Sequence, residues 1–235
     1  MRTLMKLGSN EWSNLIVQSA QKLGVHLDLH QTDLFATHAR ELIHWNKQIN
    51  ITSITDPLEV AVKHFVDSLP PARLIPPDSR LLDIGSGGGF PGIPLKVLIP
   101  SLAVTLIDAS RKKVSFLKHV VRMLDLQGIE ARHIRAENLA AYPEYTMRYD
   151  VIVSRALSKL DSFVGLAHPL LAENGVIIAL KGHVGPMELN ERRSYALLPD
   201  NDPQSTPIRF SYSIHTYTLP VLESQRTLVV LRKAK

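Results

Sequence analysis

A short apolar run that leads into a cluster of glycines constrains this chain more than any other feature. The run Leu81-Leu82-Asp83-Ile84 is followed by Gly85-Ser86-Gly87-Gly88-Gly89-Phe90-Pro91-Gly92. This order predicts a buried strand, a tight turn and the start of a helix. In an open α/β sheet, ligands bind at such a turn, beyond the carboxyl end of the strand. The pattern therefore predicts an α/β fold with a ligand site at Gly85, Gly87 and Gly89.

The spacing of the glycines indicates the kind of ligand. A dinucleotide frame would use Gly87, Gly89 and Gly92, but this frame starts late after the strand, and Pro91 crowds the helix start that would face a pyrophosphate. The other frame starts at Gly85, with Asp83 two residues before it. An acid there opposes a diphosphate and suits a ligand with ammonium and sulfonium charges. This frame is typical of class I methyltransferases and predicts S-adenosylmethionine as the cofactor.

Two later strand ends extend the predicted site. Asp108 ends the second strand, where a carboxylate can accept two hydrogen bonds from a ribose diol. Ala136 and Glu137 follow the third strand, where an adenine ring would lie. Each acid also has a structural alternative, since Asp108 can cap the next helix and Glu137 can be a first-turn acid. The order of the motifs favours the cofactor site.

The rest of the chain after the glycines alternates between short apolar runs and helical segments. We predict a Rossmann-like class I methyltransferase fold, with a seven-stranded, mostly parallel sheet and an antiparallel C-terminal hairpin. The predicted strands cover 80–84, 103–108, 130–134, 150–153, 176–181, 209–218 and 227–232. The predicted helices between them cover 94–99, 112–126, 137–141 and 160–171.

An N-terminal helical extension is predicted before this domain. Residues 10–24, 31–48 and 58–66 have helical patterns, and the prolines of 69–77 are expected to break any regular element. We therefore divide the chain into an N-terminal helical region (1–69), a proline-rich junction (70–79) and a methyltransferase domain (80–235).

Composition limits the partners and the chemistry. Residues 1–78 have seven Lys and Arg against eight Asp and Glu, a net of −1, whereas residues 79–235 have twenty against fourteen, a net of +6. The basic part favours a polyanionic partner. No cysteine is present, which excludes disulfides, thiolate zinc sites and a cysteine nucleophile. We expect no metal site, no membrane segment and no signal peptide, and hence a cytoplasmic protein.

Several motifs together resemble the RsmG (GidB) family of bacterial 16S rRNA guanine-N7 methyltransferases. The glycine motif continues into Phe90-Pro91-Gly92-Ile93-Pro94, as it does in that family. Further similar segments are Trp45-Asn46-Lys47-Gln48-Ile49-Asn50-Ile51-Thr52, His64-Phe65-Val66-Asp67-Ser68-Leu69, Val153-Ser154-Arg155-Ala156 and Leu180-Lys181-Gly182. The similarity covers nearly the whole chain.

This resemblance implies methylation of N7 of guanine 527 in 16S rRNA, with naked RNA or the small ribosomal subunit as the partner. We also expect a monomer. It also implies that Gly85, Phe90, Ala136, Glu137 and Arg155 contact S-adenosylmethionine. Arg155 is a candidate catalytic residue that orients the cofactor or the guanine, and its structural alternative is an ion pair.

The predicted chemistry needs no general base, because guanine N7 has a free lone pair and no proton. The chain agrees with this, since Ser154-Arg155 stands where exocyclic-amine methyltransferases have an Asp/Asn-Pro-Pro-aromatic motif. Candidate RNA contacts are Asn46, Lys47, Lys181, Arg192 and Arg193, and Asn46 can alternatively cap its helix.

Three other functions stay open at this point. The chain can be a methyltransferase for another RNA, a protein or a small molecule. It can be an NAD-dependent oxidoreductase, which the glycine frame disfavours. It can also be a non-catalytic RNA-binding or assembly factor that holds S-adenosylmethionine as a structural ligand.

Overall fold

The computed structural model describes residues 5–155, 159–182, 194–197 and 207–234, and these build one mixed sheet. The strand order is β3-β2-β1-β4-β5-β8-β7-β6. The first five strands are mutually parallel, and β8 runs antiparallel to both β5 and β7. The strands are β1 (Arg80–Ile84), β2 (Ala103–Asp108), β3 (Ile129–His133), β4 (Tyr149–Ser154), β5 (Leu171–Lys181), β6 (Ser194–Leu197), β7 (Ile208–Leu219) and β8 (Ser224–Lys233).

The predicted parallel sheet with a C-terminal hairpin is confirmed. All seven predicted strands are present, and the structure adds the short strand β6 at the edge next to β7. The strand order reverses at β1, which lies between β2 and β4, and this topological switch point is where open α/β sheets bind ligands. Thus the glycine turn that follows β1 lies at the position that the fold favours for a ligand.

The central strands form because apolar side chains cover both faces of the sheet. In β1, Leu81 and Leu82 point to opposite faces, and both are fully buried. Leu81 belongs to one hydrophobic cluster and Leu82 to the other. Burial on both faces of the sheet explains why the sequence of β1 is a nearly continuous apolar run.

The helices follow the sequence pattern closely. Side-chain caps fix several starts: Ser9 accepts a hydrogen bond from the Trp12 amide, and Asp28 forms a capping box with Gln31. The α-helices are α1 (Asn10–Lys22), α2 (Leu29–Ile49), α3 (Pro57–Glu59), α4 (Gly92–Leu98), α5 (Arg111–Met123), α6 (Ala136–Leu139) and α7 (Leu160–Ala167). After α3 the chain continues as a π-helix (Val60–Phe65) and a 3₁₀ turn (Val66–Ser68).

The proline-rich stretch differs from its prediction. Instead of breaking all regular structure, Pro70–Leu74 forms a 3₁₀ helix. Proline is tolerated in a first helical turn, because the N–H groups there have no partner within the helix.

The N-terminal helices and the sheet share one hydrophobic core. Trp12, Phe35 and Phe65 belong to the same buried cluster as Leu81 and Val104 of the sheet. A side-chain bond from Trp12 Nε1 to the Pro57 carbonyl oxygen, 2.9 Å long, closes α1 onto the start of α3. The N-terminal region therefore covers one face of the sheet. Among the helices that the structure describes, none is long and apolar enough to cross a membrane.

Candidate cofactor site

The glycine turn is fastened to the end of β2 by main-chain bonds. The amides of Gly85 and Ser86 both donate to the Ile107 carbonyl oxygen at 3.0 Å. Gly85 has a φ of +74°, and a Cβ added there would meet no atom within 4 Å. The turn therefore has an open face of bare backbone, on which a ligand can lie close to the chain.

Asp83 lies beneath this turn and is fully buried. Its Oδ2 accepts a hydrogen bond from the Gly92 amide at 2.9 Å, which ties β1 to the start of α4. Its Oδ1 has no hydrogen-bond partner among the described residues. Burial raises the pKa of Asp83 to about 7, against the lowering effect of the Gly92 amide and the Arg155 charge. Asp83 thus supports the turn from below and keeps one oxygen unused.

Asp108 is half-buried at the rim of the same site. Its Oδ2 accepts a hydrogen bond from the Gly87 amide at 3.0 Å, and its Oδ1 accepts one from the Ser110 amide at 2.7 Å. Ser110, not Asp108, is the side-chain cap of α5. Since each carboxylate oxygen has two lone pairs, Asp108 keeps acceptor capacity for a diol.

The Phe90 ring is packed between two imidazole rings from the N-terminal region. It stacks on His38 at 4.8 Å between centroids and on His64 at 4.7 Å, with interplanar angles of 9° and 10°. The ring is 3% exposed. Contact with a ligand in the turn would therefore involve the Phe90 main chain, while the ring anchors the turn.

Both stacked histidines are neutral. Burial lowers the pKa of His38 to about 4, and burial with the nearby Arg155 charge lowers the pKa of His64 to about 3. His38 Nε2 donates to the Gly88 carbonyl oxygen at 2.8 Å. Two elements outside the sheet thus hold the glycine turn in place.

Arg155 follows β4 directly and closes the site on the side of the N-terminal region. Its guanidinium donates to the Lys63 carbonyl oxygen at 2.9 Å and lies 5.0 Å from the Phe90 ring centroid. Beside it, Ser154 Oγ donates to the Ile84 carbonyl oxygen at 2.8 Å, which joins the ends of β4 and β1. The ends of two neighbouring strands therefore meet where the fold places the ligand.

The predicted cofactor residues Ala136 and Glu137 lie on the other side of β1 from Arg155. Ala136 is half-buried and Glu137 is exposed, and together they start α6 just after β3. The order β3-β2-β1-β4 places this segment, Asp108, the turn and Arg155 along one edge of the sheet. That these residues contact one cofactor stays a prediction.

The candidate RNA residues are more scattered. Asn46 Oδ1 accepts hydrogen bonds from the amides of Ile51 and Thr52 at 2.6 and 2.8 Å, so this side chain fixes the chain after α2, whereas Asn50 is the C-cap residue of the helix. Lys47 is exposed, and Lys181 is half-buried at the end of β5. Arg192 and Arg193 lie outside the described residues.

A group of charged and polar side chains at the same edge of the sheet, formed by Asp67, Tyr217 and Arg226, was not predicted from the sequence. The buried Asp67 accepts hydrogen bonds from Tyr217 Oη at 2.9 Å and from Arg226 Nε at 3.2 Å. In the sequence, the only indication of a role for Asp67 was its position in the family-like motif that begins at His64. Tyr217 and Arg226 come from the β7–β8 hairpin, and only the antiparallel pairing of β8 with β5 brings them to this edge. Within the described parts of the chain, no group of three or more His, Asp or Glu side chains could hold a metal ion.

The sheet order, the open glycine turn and the two acids define the fold of a class I methyltransferase. The fold is similar to that of a SAM-dependent methyltransferase from Aquifex aeolicus, with a TM-score of 0.54, 15% identity and coverage of 78% of this chain and 97% of that one. TYW2 of M. jannaschii, solved in complex with AdoMet, has a TM-score of 0.52 at 13% identity, with coverage of 72% of this chain and 76% of that one. The chain belongs to the GidB family, rRNA small subunit methyltransferase G, which it matches over residues 31–209.

Curated relatives extend this match to most of the chain. Ribosomal RNA small subunit methyltransferase G of Geotalea uraniireducens is 42% identical over 93% of this chain and 95% of its own length. The protein of the same name from Oceanobacillus iheyensis is 34% identical, over 93% of this chain and 90% of its own length. The predicted family is confirmed.

Proposed function

We propose that the protein transfers the methyl group of S-adenosylmethionine to N7 of a guanine in 16S rRNA, guanine 527 by the family resemblance. The observation that carries the proposal is the open turn at Gly85, with Asp108 at its rim, in a chain of this family. Because the turn has bare backbone and the neighbouring groups are carboxylates, the site suits a cationic nucleoside better than a diphosphate.

The described residues fit such a cofactor. Asp83 has a buried oxygen without a partner, and Asp108 has free lone pairs at the rim. Asp108 would accept from the ribose hydroxyls, and Glu137 with Ala136 would flank the adenine. Gly85, Gly87, Gly89 and the Phe90 main chain would line the remainder, with the negative charge of Asp83 below the turn and Arg155 beside it. When bound, the cofactor supplies a methyl group on a positively charged sulfur.

The transfer needs positioning more than acid–base chemistry. The bond from N7 to the methyl carbon forms while the bond from that carbon to sulfur breaks, so the positive charge passes from the sulfonium to the guanine. The protein has to hold the two atoms in line and keep water out. Arg155 is suited to positioning, since bonds to Lys63 and His64 fix its guanidinium.

Substrate contacts are proposed at the same edge. Lys181 ends β5 and Lys47 lies in the last turn of α2, and either cation can contact phosphate, with Arg192 and Arg193 as further candidates by sequence. The charge of Asp67, which is bonded to Tyr217 and Arg226, acts on Arg155 and raises its pKa, and a carboxylate on this side of the site would favour the charge that develops on guanine.

The test is to map N7-methylguanine in 16S rRNA from cells with and without the gene. We expect one modified guanine, present only when the protein is present. Purified protein should transfer label from S-adenosylmethionine to small subunits of the deficient cells. An unchanged rRNA in the deficient cells would refute the proposal, and label in a protein or metabolite fraction would assign another substrate.

A further inference from the structure

The positive charge of this protein is concentrated in one continuous segment. Residues 111–135 contain seven Lys and Arg and two Asp and Glu, a net of +5, which equals the net charge of the whole chain. The remainder of the chain has twenty of each. The segment folds into α5 and β3, so the excess charge lies on two adjacent elements.

A groove of about 660 Å³ runs along these two elements. Its Lys and Arg lining residues are Lys118 and Arg122 from α5 and Arg132 from β3. Since β3 is the last strand on its side of the sheet, its outer main-chain groups have no strand partner among the described residues. The groove thus combines cationic side chains with main-chain donors, the two kinds of group that bind phosphate oxygens.

The two acids of the groove, Asp125 and Glu130, have partners among its own lining residues. Glu130 pairs with Arg132 at 2.9 Å, and Asp125 accepts a hydrogen bond from Gln127 at 3.1 Å. Lys118 and Arg122 are exposed, and no acid in the described ranges pairs with either of them. Their charges are therefore available to a ligand that bears its own negative charge.

The basic surface reaches the cofactor edge at both ends of the segment. Arg111 starts α5, three residues after Asp108, and Arg135 immediately precedes Ala136. Arg111, Lys118 and Arg122 lie on one stripe of α5, and the eleven steps from the first to the last span about 16 Å. A polyanion that follows this stripe would leave the groove at the cofactor edge, beside Asp108.

We propose that this groove binds the phosphate backbone of the substrate rRNA and guides the strand to the cofactor edge. The inference rests on the proposed function, because it assigns the partner of the same reaction. An edge strand next to a groove also suits an added peptide strand. Phosphate is favoured, because Lys118 and Arg122 are exposed without an acidic partner among the described residues, and their stripe continues through Arg111 to the cofactor edge.

The test compares two charge-reversed variants. The groove variant combines Lys118→Glu with Arg122→Glu. The control combines Arg209→Glu with Arg232→Glu, which makes the same charge change at two exposed arginines near the opposite edge of the sheet. Binding to protein-free 16S rRNA is measured over a range of salt concentrations, and methylation of small subunits is measured at saturating S-adenosylmethionine. Affinity for S-adenosylmethionine reports that each variant is folded.

We expect the groove variant to bind rRNA at least tenfold more weakly and to lose about two units of slope in log affinity against log salt concentration. Its KM for small subunits should rise by a similar factor, whereas kcat and cofactor affinity should stay near wild type. The control should change much less in each measurement.

Three results would overturn the inference. Equal losses in both variants would mean that only net charge matters. A groove variant that binds protein-free rRNA like wild type but small subunits poorly would assign the groove to a ribosomal protein. A groove variant that is unchanged throughout would remove it from the binding surface while leaving the proposed function intact, whereas a wild-type protein that methylates no rRNA would refute both.

Discussion

His64 Nδ1 accepts a hydrogen bond from Arg155 Nη2 at 3.2 Å, and this bond joins residues 91 positions apart in the sequence. Because a guanidinium can only donate, the histidine must carry its proton on Nε2, which lies 3.0 Å from Thr52 Oγ1. One face of the same imidazole stacks on Phe90 of the glycine turn. The N-terminal region is thereby connected to both the turn and the end of β4, and it is part of the site.

The first prediction concerns the guanidinium group of Arg155. Arg155→Lys should lower the free energy of unfolding by about 2 kcal/mol and reduce methyl transfer strongly, because an ammonium cannot reproduce the planar set of donors to Lys63 and His64. Denaturant unfolding and single-turnover kinetics would measure the two effects. The matched control is Arg80→Lys in the exposed pair with Asp150, where we expect a change below about 1 kcal/mol. Equal changes at the two positions would contradict a special role for Arg155.

The second prediction is a loss of stability in weak acid. Below pH 6.5 the unfolded chain protonates His38, but the folded protein resists protonation until about pH 4. Stability contributed by neutral His38 is therefore lost as the pH falls through this window, by about 3 kcal/mol at most. His38→Gln can keep a donor for Gly88 and removes the titration, so the dependence on pH should become shallower in this variant. It should not vanish, since the pKa of His64 is also lowered. Unfolding curves between pH 4 and 7 would measure the slope of the unfolding free energy against pH. His26→Gln, at an exposed position, is the control. An identical slope in the His38 variant and wild type would count against the prediction.

The third prediction concerns cofactor binding and pH. Asp83 has a pKa of about 7 in the free protein, and a cationic ligand favours its charged form. Affinity for S-adenosylmethionine should therefore fall roughly tenfold from pH 8 to pH 6 through this group. The Asp83→Asn variant should bind S-adenosylmethionine more weakly at pH 8 and should lack the pH dependence that Asp83 causes. Calorimetry of wild type and variant separates this dependence from the titration of the ligand, which affects both proteins equally. Parallel pH profiles of affinity would refute the prediction.

The fourth prediction concerns the start of α4. A Cβ at Gly92 would clash with Leu106 Cδ2 and would lie 2.8 Å from Asp83 Oδ2, so Gly92→Ala should displace both buried side chains and destabilise the protein by about 2 kcal/mol. Gly165 in α7 has no atom within 4 Å of an added Cβ, and Gly165→Ala should stabilise by up to about 1 kcal/mol. Thermal unfolding of the two variants would show opposite signs; a neutral Gly92→Ala would mean that the turn adjusts freely.

Local sequence was sufficient for the elements with a clear period. The strands β1 and β2 were predicted to the residue, and α1 and α2 were predicted to within two residues at each end, because apolar runs and helical spacing are local signals. The strand β5 begins earlier than predicted, since Leu171 pairs with Tyr149 before the register shifts to Val151 and Val176, and composition does not reveal such a shift. The edge strand β6 was missed, because it forms only against β7.

The residues of the candidate site also fall into those that local sequence predicts and those that it does not. Gly85, Asp108 and Glu137 were found from sequence because each follows its own strand. The stack of His38 on Phe90 and the group of Asp67, Tyr217 and Arg226 were not found, because their members come from segments far apart in the chain.

The sequence alone therefore determined the class of fold, the position of the ligand turn and the family, since these depend on residues that are neighbours along the chain. Only the tertiary structure decided that the N-terminal helices share the core of the sheet and hold the turn through two neutral histidines. The physical reason is that a histidine alone has no fixed charge or partner. Burial against Phe90 and a bond to Gly88 or Arg155 determine both, and these contacts exist only after the distant segments have packed.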